Sequence, residues 1–100
     1  MYAGDFADCL HAAIMGFDQL PGLMNVGLGF DYSVNEYYNI CAQIIGFQGR
    51  FIHDLTKPVG MAQKMVDISR QTSFGWKPKV SLAEGIQRTY EFYCEQRKRL

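Results

Sequence analysis

The chain has 100 residues, ten Lys or Arg against ten Asp or Glu, no formal net charge and 48% hydrophobic residues. This is globular composition, and it excludes a disordered tail, a collagen-like repeat and a coiled coil. The balanced charge lacks the basic surplus that nucleic acid or an anionic membrane attracts, so neither is expected as a partner. Cys9, Cys41 and Cys94 are odd in number and form no CxxC pair, which fits neither a disulfide scaffold nor a zinc ribbon. No apolar run reaches the ~18 residues of a membrane span, and no basic-then-apolar leader opens the chain. A reduced, cytoplasmic protein is the expectation.

Asp5 stands where an N-cap would, and Phe6, Cys9, Leu10, Ala13, Ile14 and Phe17 follow at helical spacing, which predicts a helix from about Phe6 to Phe17. Pro21 and Gly22 end the connection. Leu23 to Val26 reads as a short strand, stopped by Gly27-Leu28-Gly29. Ser33 and Glu36 have capping-box spacing and open a second helix, whose apolar face is Val34, Tyr37, Tyr38, Cys41, Ile44 and Ile45. Gly46 is its expected C-terminal stop. Arg50 to His53 reads as a second strand and Met65-Val66 as a third, very short one. The loop between them turns at Pro58 and Gly60. Asp67 is placed to cap a short helix running to Ser73 and closed by Gly75. A second capping box, Ser81 with Glu84, opens a final helix to about Arg97. The expected fold is therefore a small mixed α/β domain of about four helices and two or three short strands. Those strands are too few for a sheet that stands alone.

Chemistry is sparse. The sequence has no GxGxxG turn, no GxxxxGK[ST] phosphate loop and no GxSxG elbow. His11 and His53 are too far apart to suggest a metal pair, and each reads as a solvated or hydrogen-bonded histidine. Cys9 and Cys41 fall on apolar faces, where thiols act as small hydrophobes. The aromatic residues recur at helical spacing, as packing residues do. The one segment that suggests a ligand runs from Lys57 to Lys64. It sets two ammonium groups and Gln63 around the Pro58–Gly60 turn, so that Lys57 and Lys64 could meet a diphosphate as point charges and Gln63 a sugar hydroxyl.

The order of segments then becomes informative. Met1 to Asp8, Met24 to Gly29, Ser33 to Glu36, Lys57 to Gly60, Gln63 to Asp67, Phe74 to Pro78 and Ser81 to Ile86 together resemble the C-terminal third of the extended short-chain dehydrogenase/reductases acting on nucleotide sugars. Within these the run looks most like the GDP-L-fucose synthase family. The resemblance implies that residues 1–100 are a C-terminal nucleotide-sugar-binding region of an NAD(P)-binding Rossmann-type enzyme, with the Rossmann domain absent. It implies NADP(H) as cofactor of the longer proteins and none held here, a GDP-sugar as ligand, and 3,5-epimerisation followed by 4-keto reduction as the whole reaction. It points to Lys57, Gly60, Gln63 and Lys64 as substrate-binding residues and to no catalytic residue in this stretch. Three positions depart from the family pattern. Gly4 stands for the first member of an acidic pair, Val59 for an aspartate and Gln63 for an arginine, while Gly60 and Lys64 match. The apolar surface of such a region would pair with a Rossmann domain or with a second copy.

Overall fold

Tyr2, in extended conformation, precedes the first helix, α1 (Ala3–Met15), in a computed structural model that describes residues 1–100. Asp5 is thus no cap. It lies inside the first turn, 4% exposed, and its carboxylate turns to a distant part of the chain. Of the apolar stripe expected to be buried on this helix only Cys9 is, at 2% exposure, while Phe6 is 47% and Phe17 73% exposed. A single 3₁₀ turn (Phe17–Gln19) follows Gly16.

The second helix, α2 (Val34–Ile45), opens on the full capping box. The Ser33 hydroxyl accepts from the Glu36 N–H at 3.2 Å, and the Glu36 carboxylate accepts from the Ser33 N–H at 2.6 Å. The third, α3 (Ser69–Phe74), is a short turn-and-a-half whose N-cap is Ile68 and not the expected Asp67; Asp67, one residue earlier, accepts from the Ser69 N–H at 2.8 Å in a local turn. Both α2 and α3 stop at glycines in the left-handed region, Gly46 at φ 74° and Gly75 at φ 93°, as the sequence predicts. The last helix, α4 (Leu82–Lys98), has half a capping box. Ser81 accepts from the Glu84 N–H at 3.2 Å, but the Glu84 carboxylate pairs with Arg88 one turn on. Arg97 and Lys98 lie at the negative pole of this helix.

The expected strands are absent, so the mixed α/β reading gives way to an all-helical arrangement of these four helices and one 3₁₀ turn. A strand needs a second extended backbone alongside it, and here side chains take that place. The Gln71 side-chain amide meets Gly27 twice, accepting from its N–H at 2.9 Å and donating to its carbonyl at 3.1 Å. The Arg70 guanidinium donates to the Leu23 carbonyl at 2.7 Å. The Leu23–Val26 stretch is therefore held on α3 without any ladder. Around Arg50–His53, Phe51 packs its ring against Tyr38 and Phe47 with centroids 5.4 and 5.6 Å away, and His53 Nε2 lies 2.8 Å from Asn35 Oδ1. Met65-Val66 offers only a side chain, the Val66 methyl lying over Gly27.

Helices α2 and α4 pack on each other, and α1 reaches α4 through Tyr2, which lies against Gly85. A Cβ at residue 85 would stand 3.2 Å from that of Tyr2, so a glycine there permits the close approach. Only Asp5, Cys9, Gln71, Trp76 and Gly85 are buried. The radius of gyration is 17.0 Å, against about 13 Å for a compact chain of this length. The molecule is a plate of 50 × 38 × 20 Å with its apolar faces open.

Candidate functional site

Two aspartates one turn apart on α1 fasten the start of the chain to the segment before α4. Asp5 Oδ2 accepts the backbone N–H of Val80 at 2.9 Å and of Lys79 at 3.1 Å. Asp8 Oδ2 accepts the Trp76 indole N–H at 2.9 Å and the Lys79 ammonium at 3.3 Å. Donation by Trp76, and then by Lys79, holds the Asp8 carboxyl below its ordinary value. Burial, and then the Asp8 charge, push the neighbouring Cys9 thiol up, so Cys9 is an inert thiol. These are fastenings, and no buried side-chain polar atom is left without a partner.

Beyond this joint, a cleft of about 620 Å³ opens between α2 and α4. Tyr37, Cys41 and Ile45 form one wall and Ile86, Tyr90 and Tyr93 the other. Met1 and Tyr2 lie at one edge and Leu28, Phe30 and Tyr32 at another. No acidic or basic side chain reaches it. Three aromatic rings chain along its rim, Phe30 to Tyr32 at 5.4 Å and Tyr32 to Tyr37 at 5.5 Å, both edge-on. The neighbouring Cys94 thiol raises the Tyr90 phenol. Individually these residues read as helix packing. What the sequence could not show is that the packing is left unfilled.

Lys57, Gly60, Gln63 and Lys64 lie elsewhere, on the exposed stretch between α2 and α3. Asp54 shapes its start, accepting from the Thr56 hydroxyl at 2.6 Å and the Thr56 N–H at 3.0 Å, while the Lys57 N–H reaches the Asp54 carbonyl at 3.4 Å. Donation by Thr56 lowers the Asp54 carboxyl. Neither lysine forms an ion pair, and no hydrogen bond ties the four residues together. None of them lines the cleft. His11 and His53 stay apart, and no group of three metal-ligating side chains assembles. No helix is long and apolar enough to cross a membrane. Sequence reasoning missed the joint made by Asp8, Trp76 and Lys79. Its only local signal is the pair of aspartates three residues apart ahead of an apolar stripe.

No protein-family model matches the chain. The chain is 46% identical over 93 residues to the GDP-L-fucose synthase of Azorhizobium caulinodans, covering 93% of this chain and 30% of the relative. It is 42% identical over 97 residues to the GDP-L-colitose synthase of Yersinia pseudotuberculosis, covering 97% and 32%. A solved structure of a GDP-6-OMe-4-keto-L-xylo-heptose reductase from C. jejuni superposes with a TM-score of 0.87 at 30% identity, over 96% of this chain and 30% of that one. The chain thus spans about a third of the length of the relatives it matches. The resemblance carried by the ordered motifs holds along nearly the whole sequence, and the chain is similar throughout to one third of the GDP-L-fucose synthases and of a GDP-sugar reductase.

Proposed function

We propose that this chain forms part of the substrate side of a GDP-sugar epimerase/reductase, at work in the cytoplasm, and turns nothing over without an NADP(H)-holding Rossmann-type domain beside it. The observation that carries this reading is the naming pattern of three relatives: the sugar changes from fucose to colitose to a heptose, while guanosine diphosphate is common to these three. In this reading the Lys57 and Lys64 ammonium groups neutralise the diphosphate. Gly60 lets the backbone between them turn, and Gln63 bonds a sugar hydroxyl. Val59 and Gln63, which depart from the family pattern, offer fewer charged contacts, so sugar choice is where this chain should differ from its kin.

The residues present do not fit the cofactor. A dinucleotide diphosphate seeks a glycine-rich helix N-terminus, whereas α1, α2 and α4 each carry an acid in the first turn. Reduction of a keto sugar needs a hydride donor held beside it, and that part of the work falls to the partner domain.

Calorimetry of the chain against GDP, GDP-mannose, CDP-glucose and UDP-glucose tests the reading. Guanosine ligands should bind best, and Lys57→Ala with Lys64→Ala should weaken them about tenfold, near 1.4 kcal/mol. Preference for a cytidine or uridine ligand, or oxidation of NADPH by the pure chain with a keto sugar, would defeat it. A second reading, a non-catalytic interaction module, draws on the open apolar faces. It predicts partner binding with no nucleotide affinity at all.

A further inference from the structure

Gly27 and Gly29 lie under two branched side chains that precede α3. A Cβ at residue 27 would stand 2.9 Å from a Val66 methyl, and one at residue 29 would stand 2.6 Å from the end of Ile68. The partners are two residues apart in each segment, so the contacts define one register of residues 66–68 along residues 27–29. No backbone hydrogen bond joins the two segments, and that register rests on side chains. Gln71 meanwhile holds both the N–H and the carbonyl of Gly27, and Arg70 holds the Leu23 carbonyl. Gly27 therefore cannot back away from a bulkier neighbour without breaking two bonds. Val66 is branched at Cβ and turns little about χ1. A methyl added at residue 27 is thus relieved by moving the chain around Val66. Gly29, at φ 82°, would be strained by any side chain, whereas Gly27 lies outside the left-handed region and only its missing Cβ matters.

We propose that Gly27 is a positioning residue. By seating Val66 against a backbone locked by Gln71, it fixes the point from which the Lys64 side chain reaches a diphosphate. Lys64 stands two residues before Val66, about 7 Å along extended chain. Gly29 and Ile68 hold the same register one step nearer α3. This role rests on Lys64 being a diphosphate contact, as read above. It explains how a lysine on an exposed stretch, without an ion pair of its own, is held in one place.

Trypsin reads the seat without any ligand. In the 100-residue chain the bond after Lys57 should be cut about tenfold faster than the bond after Lys64, which lies beside the seated Val66. Gly27→Ala should abolish that difference. Val66→Ala, which removes the seated methyl and introduces no clash, should reduce it about threefold, and it decides the matter if Gly27→Ala fails to fold. The double variant, Gly27→Ala with Val66→Ala, returns a methyl to the gap and should restore most of the difference, which a general loss of stability would not do. Equal cutting after both lysines in the parent, a ratio unmoved by Val66→Ala, or a double variant cut after Lys64 as fast as Gly27→Ala would each overturn the proposal. Calorimetry with GDP is read separately. Gly27→Ala should bind about threefold more weakly than the parent, and the double variant should recover. Unchanged affinity in a Gly27→Ala chain that has lost its protection after Lys64 would overturn the positioning role. A parent that ignores GDP defeats the substrate reading alone, and the cleavage ratio still decides the anchoring.

Discussion

Asp5 and Asp8 are neighbours on α1, but their partners lie 68 to 75 residues away. Asp5 is the more constrained. Its carboxylate takes two backbone N–H groups that α4 and its connector cannot satisfy otherwise, so Asp5→Ala should destabilise the chain by about 2–3 kcal/mol. Asp5→Asn, which keeps an acceptor oxygen, should cost less. Urea titration followed by the emission of Trp76 measures both. Asp8 is one of four carboxyls that shape the response to acid. Asp8, Glu36, Asp54 and Asp67 are all held below their ordinary values by hydrogen bonds they accept. A depressed carboxyl contributes stability that is complete above its unfolded value, 3.8 for an aspartate, and lost as pH falls through the folded one. The urea midpoint should therefore hold from neutrality to about pH 4.5 and fall below it. Asp8→Asn should flatten that fall, and an unchanged slope would remove Asp8 from the account. At this scale the sequence was half legible. Asp5 reads as an N-cap because caps are local, whereas its true partners are visible only after folding.

Among the elements, helices were readable and extended segments were not. Ser33 with Glu36, Gly46 and Gly75 mark boundaries through bonds spanning a few residues, and each works as its type requires. Leu23 to Val26 has strand composition, but composition cannot name a pairing partner. Gln71, fully buried on a six-residue helix, supplies both bonds in place of one. Gln71→Ala leaves the N–H and carbonyl of Gly27 unpaired and should cost about 2 kcal/mol. Gln71→Glu separates this from mere packing. As a carboxylate it keeps the acceptor and loses the donor; protonated, it regains both. Its folded value is thus raised, and its deficit against the parent should shrink as pH falls from 7 towards 4.5. A pH-independent deficit would show that shape alone matters.

Taken whole, the molecule presents more apolar surface than a chain of its length can leave wet. The two capping boxes and the apolar stripes predict which residues point inward, yet few of them reach an interior. Pattern reasoning located the faces and could not say they were unfilled, because a helical period marks which side of a helix is apolar and not what covers it. The candidate binding residues show the opposite limit. Lys57 and Lys64 were legible as a charge pair around a turn, but nothing in this third draws them together.

Apart from the contact of His53 with Asn35, the long-range side-chain fastenings bridge the same gap. Asp5 to Val80, Asp8 to Trp76, Gln71 to Gly27 and Arg70 to Leu23 each join the part before residue 47 to the part after residue 67. Between them runs an exposed stretch with Lys57 and Lys64 at its surface, open to proteases. Brief trypsin digestion should cut there first, and the two halves should then travel together through gel filtration as a nicked pair, parting only in denaturant. Such a chain would tolerate a foreign sequence spliced in after Lys57, because its covalent continuity and its cohesion reside in different places.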